Sequence, residues 1–389
     1  MNHKRDSFNG YVRPDSSVGV RNHLLVLSIT GLTGPTARRI SSNLPGSVVV
    51  DYVYDSGPVG EDRKAQERAL LGLALNPNVG AVLLISANPP RAEAIVRAIS
   101  ETGKPVEMLT LDDCGHDALV LTERGLAAGE KLTKLIDAME REEFPVSKLY
   151  VALECGRSDP SSGLVANPLM GLIADELVDA GARAIIGESV EWLGAEHLLA
   201  ERATAPELGE AILKAVGARE QAAIDVGIDL TGNNPGPTNI AAGLSTIEEK
   251  SLGNVAKSGS RPIQSLVGWA EEPKGPGFHL MDAPAYAPES LTGFSASGSQ
   301  LILFSTGVGN SFVNSIAPTL KISGNPETCA RLGQQLDFKC SDVFVGEKSL
   351  EDAAENLFWT MLDIASGVET WGEKIGEGGE AFTRLGASI

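Results

Sequence analysis

Short apolar runs alternate with amphipathic stretches along the first part of the chain. The runs are HLLVLSIT (23–30), SVVVDYVY (47–54), VGAVLLIS (79–86) and PVEMLTL (105–111). Uninterrupted apolar runs of this length are typical of strands in a parallel sheet that is covered on both faces. The stretches between them, such as GEDRKAQERALLGLAL and PRAEAIVRAISET, have the apolar spacing of helices. The pattern therefore predicts βαβ units and an open doubly wound domain over about residues 20–145.

A second series of the same kind begins at KLYVAL (148–153) and reaches ARAIIG (182–187) through a helix near 165–181. It resumes at GFHLMDA, QLILFST and PTLKIS, and closes with the helical stretch SLEDAAENLFWTMLDIASG. Between the two series, EREEFPVS (140–147) combines charges with a proline and is predicted as a linker.

The fold class predicted from this pattern is α/β, with two Rossmann-like doubly wound domains. Their bounds are 1–146 and 147–389, and the second domain carries most of the candidate site loops. A length of 389 residues also exceeds what one hydrophobic core usually organises. Residues 229–243, DLTGNNPGPTNIAAG, are too rich in Gly, Asn and Pro for a regular element and are predicted as a long loop.

Composition excludes several classes of protein. The chain has 32 basic and 51 acidic residues, and its formal net charge of -19 repels nucleic acids and anionic lipid surfaces. The first residues lack an apolar signal core, and no run of about 18 apolar residues occurs, so a cytoplasmic protein without a membrane segment is expected. The four cysteines form no CxxC pair and are expected to be free thiols.

The densest group of small polar residues, LECGRSDPSSGLVANP (153–168), begins on a predicted strand and runs into a helix. Ligands of α/β proteins gather at the carboxyl ends of such strands. Cys155 and Arg157 stand here beside four further polar residues, Ser158, Asp159, Ser161 and Ser162. The alternative is a helix cap with a turn, which needs one such residue, so the group favours binding of a polyhydroxy or carboxylate ligand.

A second cluster, GESVEWLGAEHLL (187–199), follows the next strand and contains Glu188, Glu191, Glu196 and His197. Carboxylate and imidazole ligands suit a divalent transition metal. Neighbouring residues of a helix point about a hundred degrees apart, so Glu196 and His197 do not easily face one ion, and His197 is as readily an ordinary helix residue. Upstream, Arg21, next to Asn22, is a candidate to grip an anionic substrate through two hydrogen bonds.

Five phrases of the chain resemble the altronate/galactarate dehydratase family, in order and over nearly the full length. They are GYVRPDSSVGVRNHLLVL, LECGRSDPSSGLVANP, GESVEWLGAEHLLAERA, NPGPTNIAAGLSTIEEKSLG and APTLKIS. Members of that family are metal-dependent lyases that eliminate a β-leaving group, water or sulfite, from 2-hydroxy acids. The resemblance implies the same activity here, on a small anionic 2-hydroxy acid that becomes a 2-oxo acid.

The resemblance also implies a site. The candidates for the base, by side-chain type, are Glu188, Glu191, His197 and Lys250. The implied ligands of a divalent metal, iron(II) first and manganese(II) or magnesium as alternatives, are Cys155, Glu188, Glu191 and His197. The candidates for substrate binding are Arg21, Asn22, Arg157, Ser158, Asp159, Ser161, Ser162, Asn167, Asn234 and Asn239.

The chain departs from the sugar-acid members of the family at three places. Those members typically carry cysteines after the second and third strands, where this chain reads DSGPVGED (55–62) and SANPP (86–90). They also have a small residue at the position of Arg157. These departures favour the branch that releases sulfite from sulfolactate over the altronate and galactarate dehydratases.

The chain begins at the large domain, without the small N-terminal domain of single-chain members, which predicts a separate small subunit in an oligomer. Two other classes stay open at this point. A nucleotide-dependent oxidoreductase fits the doubly wound domain but lacks the GxGxxG fingerprint. A non-catalytic sugar-acid-binding subunit fits the two missing cysteines.

Overall fold

The computed structural model describes residues 6–55, 57–230 and 234–383. The strands in these ranges are β1 (Ser7–Val12), β2 (Val18–Gly19), β3 (His23–Ser28), β4 (Ser47–Asp51), β5 (Val79–Ser86), β6 (Val106–Thr110), β7 (Glu142–Pro145), β8 (Tyr150–Cys155), β9 (Arg183–Ile186), β10 (Ile263–Gly268), β11 (Gly277–Asp282), β12 (Leu301–Ser305), β13 (Thr319–Ser323) and β14 (Phe338–Lys339).

The α-helices are α1 (Gly34–Ser41), α2 (Gly60–Leu75), α3 (Pro89–Glu101), α4 (Ala118–Asp137), α5 (Asn167–Asp179), α6 (Glu196–Ala200), α7 (Pro206–Asp225), α8 (Pro237–Ala241), α9 (Ile247–Val255), α10 (Ala287–Ala296), α11 (Pro326–Arg331), α12 (Ser341–Phe344), α13 (Leu350–Ala365) and α14 (Trp371–Lys374). Short 3₁₀ turns cover Asp112–Cys114, Val146–Lys148, Ser189–Trp192 and Ala256–Ser258, and a π-helical turn covers Ser162–Ala166. None of the helices in the described ranges combines the length and apolar character needed to cross a bilayer.

Three sheets organise the described chain. A four-stranded parallel sheet has the order β4-β3-β5-β6, and a seven-stranded parallel sheet has the order β10-β11-β9-β8-β12-β13-β14. A small antiparallel sheet has the order β2-β1-β7. Parallel strands joined through helices confirm the predicted α/β class, while the closer likeness to a Rossmann fold stays a prediction.

The predicted linker is an ordered strand. Within it, β7 pairs with β1 from Ser7 opposite Pro145 to Gly10 opposite Glu142. The apolar pattern did not reveal β1 or β7, because most of their residues are at least partly exposed. The predicted loop over 229–243 also contains a short helix, α8, and residues 231–233 of that loop lie outside the described residues. A domain boundary at residue 146 stays a prediction.

The central strand β8 is buried along its whole length. Its side chains alternate between two hydrophobic clusters, with Val151 and Leu153 on one face and Tyr150 and Ala152 on the other. Complete burial of a large apolar side chain contributes roughly 1.5–3 kcal/mol, so both faces hold the strand firmly. The residues that immediately follow β8 therefore start from a fixed position.

One of these clusters joins the two large sheets. It contains Leu25 and Leu84 from the four-stranded sheet and Phe304 from the seven-stranded sheet. Helices α2 and α10 meet there so closely that a Cβ atom on Gly72 would lie 2.0 Å from the carbonyl oxygen of Ala296. The two parallel sheets consequently share a continuous core.

The order of the larger sheet creates a crevice at one edge. Strand β8 lies between β9 on one side and β12 on the other, so the chain changes direction across the sheet at β8. Connections leave such neighbouring strands towards opposite faces, and ligands of open α/β sheets bind in the gap outside the carboxyl ends. This places the loops that follow β8, β9 and β12 around one opening.

Candidate active site

A cavity of about 710 Å³ lies at this edge of the seven-stranded sheet. Its walls come from the loops after β8, β9, β11 and β12, which are adjacent in the sheet, and from residues 376–378 near the C-terminus. The polar residues that line it are Cys155, Arg157, Glu188, Glu191, Tyr286, Asn310, Ser311 and Glu377. Four of these are predicted from the sequence, whereas Tyr286, Asn310, Ser311 and Glu377 lie in loops whose sequence carries no distinct pattern.

Glu188 is held in an unusual position at the end of β9. Its backbone has a φ of 64°, in the left-handed region that non-glycine residues seldom adopt, and it is 2% exposed. Its Oε2 atom has no hydrogen-bond partner among the described residues. Burial, and then the nearby charges of Glu191 and Glu154, raise the pKa of Glu188 well above its ordinary value. The neutral, protonated form of Glu188 is therefore favoured at the cavity wall.

Glu191 lies one turn further on and has the opposite character. Its Oε1 accepts a hydrogen bond from Lys250 Nζ at 2.5 Å, and its Oε2 accepts one from Asn254 Nδ2 at 2.6 Å. Burial acts to raise the pKa of Glu191, but Lys250 and Lys257 more than offset this, so the pKa lies below its ordinary value. Glu188 and Glu191 thus form a pair of one acid and one carboxylate.

Lys250 is held as an ammonium group. Burial acts to lower its pKa, but the charge and hydrogen bond of Glu191 outweigh that effect and raise it. Its Nζ atom also donates to the side-chain oxygen of Asn234, which belongs to the long loop over 229–243. In the same loop, Asn239 donates to the backbone oxygen of Ser158 at 2.8 Å. Asn234 and Asn239 thus tie the loop to the site without lining the cavity.

Helix α9 and the turn after it present three polar side chains to the site. Lys250, Asn254 and Lys257 follow one another at intervals of four and three residues, which places them on one helical face. Asn254 Nδ2 lies 3.4 Å from Cys155 Sγ, and Lys257 is paired with Glu154 beneath it. Sequence reasoning found Lys250 only. The signal that was missed is polar residues at helical spacing on a face expected to be apolar.

Arg157 is the cationic residue that faces the cavity most openly. It is exposed, lines the cavity and has a φ of 57°. Among the described residues its guanidinium has neither a hydrogen bond nor an ion pair. Asp159 is engaged by Ser161, Ser162 and Asn325. The raised pKa of Glu188 favours its neutral form, which is a weak partner for a guanidinium.

The polar residues after Arg157 organise their own loop. Asp159 Oδ1 accepts from Ser161 Oγ at 2.6 Å and from the backbone nitrogen of Ser162 at 3.1 Å. Asn167 donates to the backbone oxygen of Gly253 at 2.8 Å and accepts from Ser305 at 2.5 Å. None of these described side chains, nor that of Ser158, lines the main cavity. These hydrogen bonds shape the loop beside Cys155, and a contact of its side chains with substrate stays a prediction.

Arg21 and Asn22 are also predicted to bind substrate, and in the structure their side chains have partners within the chain. The Arg21 guanidinium donates to both carboxylate oxygens of Glu373, at 2.6 and 2.9 Å, and to three backbone oxygens. All five of its donors are thereby used. Asn22 accepts from Arg13 and donates to the backbone oxygen of Ile136. Each of the two residues has a hydrogen-bond partner that is distant in the sequence, and neither lines the cavity.

The predicted set of metal ligands does not come together. His197 is exposed on α6 and does not line the cavity, unlike Cys155, Glu188 and Glu191. Both oxygens of Glu191 already accept from nitrogen donors, and the Cys155 sulfur faces two more. Within the described parts of the chain, no group of three or more His, Cys, Asp or Glu side chains is arranged to hold a metal ion. The residues therefore do not fit the predicted site.

Comparison with known proteins agrees with this architecture. Residues 10–136 match the family model "D-galactarate dehydratase/Altronate hydrolase, second domain", and residues 146–388 match "D-galactarate/Altronate dehydratase, C-terminal". The chain belongs to the D-galactarate/altronate dehydratase family. The resemblance found in the sequence is confirmed, and the two models together span both large sheets.

Curated members of the D-galactarate/altronate dehydratase family are similar over most of the chain. The (2R)-sulfolactate sulfo-lyase subunit beta of Chromohalobacter salexigens is 35% identical over 99% of both chains. The altronate dehydratase of Bacillus subtilis is 28% identical over 93% of this chain and 74% of its own length. The galactarate dehydratase (L-threo-forming) of Escherichia coli is 30% identical over 77% of this chain and 59% of its own length. These relatives are lyases, and the chain is an enzyme of that class.

Proposed function

We propose that this family member is the large, catalytic subunit of a lyase that acts on a small 2-hydroxy acid with a second anionic group, and that sulfite is the leaving group. The observation that carries the proposal is the unpaired Arg157 guanidinium beside the acidic pair in the cavity. The similarity to a sulfolactate sulfo-lyase subunit along the whole chain supports the same substrate class.

Arg157 suits an anion better than a neutral hydroxyl. A guanidinium binds a sulfonate or carboxylate through two parallel charge-assisted hydrogen bonds, each on the order of 1.5–3 kcal/mol. The formal net charge of -19 repels anionic substrates from a distance, so a local cation is needed to bind one. Among the described residues no carboxylate is paired with Arg157, so the N–H groups of its guanidinium can all bind the substrate.

The pKa directions of the residues around the cavity support one of them as the base of the first step. A base must be unprotonated, which disfavours the protonated Glu188 and the ammonium of Lys250, and His197 lies outside the cavity. Glu191, a carboxylate, takes the proton from the carbon that bears the hydroxyl. Removal of that proton places a second negative charge next to the substrate carboxylate. The ammonium group of Lys250, which donates to Glu191 at 2.5 Å, supplies a fixed positive charge beside this base.

The second step breaks the bond to the leaving group. The electron pair released at the first carbon forms the carbon–carbon double bond, and the pair of the breaking C–S bond leaves with sulfur as sulfite. The enol then loses its hydroxyl proton and gains a proton on the neighbouring carbon, giving a 2-oxo acid. Glu188 faces the cavity with a proton to give, so we assign that delivery to it. No oxidant or reductant is needed.

Dehydration is a second candidate, and Glu188 is the observation that favours it. Hydroxide is a poor leaving group and needs protonation as it departs, whereas sulfite is already a stable anion. A neutral carboxylic acid at the cavity wall can supply that proton. Two of the relatives are named altronate dehydratases, so by their names they remove water from altronate.

The requirement for a divalent metal, with iron(II) first, stays a proposal that rests on the family resemblance. The four predicted ligands do not assemble in the described structure, and the steps above use side chains of this chain alone. Metal analysis of the purified enzyme, followed by activity after exhaustive chelation, tests it. Full activity of a preparation shown to be metal-free would end the proposal.

The Arg157 argument predicts a selective loss. Arg157→Ala should weaken the apparent affinity for sulfolactate about ten- to a hundredfold, equal to roughly 1.5–3 kcal/mol, and affect the singly charged altronate much less. Arg157→Lys, which keeps the charge but loses the fork, is the matched control and should lie between the two. Steady-state assays that follow sulfite and 2-oxo acid measure this. Equal losses on both substrates, or none on either, would show that Arg157 does not bind the second anion.

We also propose a separate small subunit. The sulfolactate sulfo-lyase relative that matches over 99% of its length is named a subunit beta, whereas about a quarter of the altronate dehydratase of Bacillus subtilis lies outside the match, which covers 74% of it. Co-expression of this chain with a candidate small subunit should give a complex in size-exclusion chromatography. Assays of the chain with and without that protein then show whether the partner is needed for turnover.

A further inference from the structure

A fully buried ion pair lies directly behind the cavity wall. Lys257, in the turn after α9, and Glu154, the fifth residue of β8, are both 0% exposed and face each other. Neither residue lines the cavity. Neither Glu154 nor Lys257 takes part in the acid–base steps proposed above.

The pair touches two walls of the cavity. Lys257 Nζ donates to Glu154 and lies 3.6 Å from the sulfur of Cys155, which lines the cavity. Glu154 Oε1 accepts the backbone N–H of Cys155 at 3.0 Å. Its Oε2 accepts the hydroxyl of Ser290 at 3.3 Å, and Ser290 belongs to α10, whose first residues line the cavity opposite. The pair therefore ties the loop after β8 to α10.

Stability alone gives little reason for such a pair. Burying two charges removes both from water, and a well-packed apolar pair of similar volume is often as stable or more stable. A fixed geometry across the cavity is a better reason, because a displacement of about 1 Å between reacting groups can cost on the order of a hundredfold in rate. The neighbouring Asn254 adds to this, since it spans Cys155 and Glu191 from the same helical face.

We propose that Lys257 is a positioning residue of the active site: through Glu154 and Ser290 it fixes the distance between the loop 155–157 and α10. This inference rests on the proposed function, because the loop 155–157 carries Arg157 and the first residues of α10 line the same cavity. Lys257 itself does not touch the substrate, and its effect passes through the walls that it joins.

The test replaces both charges together. Glu154→Gln with Lys257→Met removes the ion pair at similar volume and leaves no unpaired charge. The double variant should unfold at a temperature close to that of the parent, lose at least tenfold in kcat for sulfolactate, and change its KM less than threefold. A matched control is Arg183→Met with Glu272→Gln, an ion pair at the start of β9 that does not line the cavity. That control should alter stability and leave kcat within twofold.

Ser290→Ala is the second variant, for the case in which the double variant does not fold. It removes one hydroxyl and leaves the ion pair in place. We expect kcat to fall three- to tenfold with KM and unfolding temperature nearly unchanged. Parent-like kcat in both folded variants, or in Ser290→Ala alone if the double variant does not fold, would overturn the positioning role.

The outcome can be separated from failure of the proposed function. A parent enzyme, assayed with its small subunit, that turns over neither sulfolactate nor altronate would contradict the proposed function. Crystal structures of the parent and of a folded variant then decide the positioning role. A widened gap between the loop 155–157 and α10 supports it, and an unchanged gap overturns it.

Discussion

The Glu188 carboxyl group combines burial, a left-handed backbone and an oxygen without a partner. Each of these features costs stability, because the backbone region is disfavoured and an unsatisfied buried polar atom loses its hydration. Such costs concentrate at sites where geometry serves a reaction. Glu188 is accordingly the residue at which stability and activity should respond most differently to substitution.

Glu188→Gln should stabilise the protein, and the gain should grow with pH. Because the folded state raises the pKa of Glu188, the folded chain retains a proton that the unfolded chain has released above about pH 4.5. The parent therefore loses stability as the pH rises beyond that value, and glutamine removes the loss. Urea unfolding between pH 4.5 and 8 measures this, with the exposed Glu248→Gln as the control for removing one charge. A pH-independent difference would contradict the protonation state.

Glu191→Gln should remove most of the activity. Glutamine keeps the shape and can accept from Lys250, but it cannot take a proton, and loss of a general base typically costs about 10²–10⁴ in kcat. Glu377→Gln is the matched control. Glu377 also lines the cavity, but it is paired with Lys321 and not with Lys250. Steady-state kinetics on the same substrate compare the two. A similar small loss in both variants would move the base away from Glu191.

Some of the site residues could be predicted from the sequence. Cys155, Arg157, Glu188, Glu191 and Lys250 were, because reactive side chains follow adjacent strands and the family phrases contain them. Other roles depend on partners that are distant in the sequence. Nothing near Arg21 shows that Glu373 will occupy its guanidinium, and nothing near Glu154 shows that Lys257 will pair with it.

At the scale of elements, the apolar runs predicted the buried parallel strands closely. The run at 79–86 is β5 itself, and the run at 47–54 begins with β4. Strands at the margin were missed, because β1 and β7 form a partly exposed antiparallel pair without a long apolar run. Periodicity shows which residues are buried, so it does not reveal short strands in which most residues are at least partly exposed.

Close packing between α5 and the turn after α9 gives a prediction about elements. A Cβ atom on Gly171 would lie 2.3 Å from the carbonyl oxygen of Ala256, next to Lys257. Gly171→Ala should therefore push that turn away and cost about 1–3 kcal/mol of unfolding free energy. Gly217→Ala in α7 is the matched control, since nothing lies within 4 Å, and it should stabilise by about 0.5–1 kcal/mol. Urea denaturation measures both, and equal effects would contradict the tight contact.

At the scale of the whole molecule, a buried histidine predicts sensitivity to acid. His279 of β11 is 0% exposed, and its ring contacts Ser265 Oγ at 2.9 Å and the backbone oxygen of Gly275 at 3.2 Å. Burial lowers the pKa of His279 from 6.5 to about 4. Between these values the unfolded chain binds a proton that the folded chain does not, so stability falls as the pH drops through this window.

His279→Gln should reduce that loss by on the order of 2–3 kcal/mol, because glutamine does not titrate and can keep both hydrogen bonds. Thermal unfolding from pH 7 to 4 compares the variant with the parent. The exposed His116→Gln is the control for replacing a histidine that is not buried. A variant that follows the parent's curve throughout the window would show that His279 is not the acid-sensitive group.

The core shared by the two sheets has a consequence for synthesis on the ribosome. Phe382 packs its ring 5.2 Å from that of Tyr52, and Gln66 of α2 donates to the backbone oxygen of Thr383. The N-terminal layer thus keeps an open apolar surface until residues near the end of the chain have been translated. At typical translation rates of about 5–20 residues per second, that surface stays uncovered for roughly 15 seconds to a minute. Nascent chains of this protein should therefore depend on chaperones during that interval.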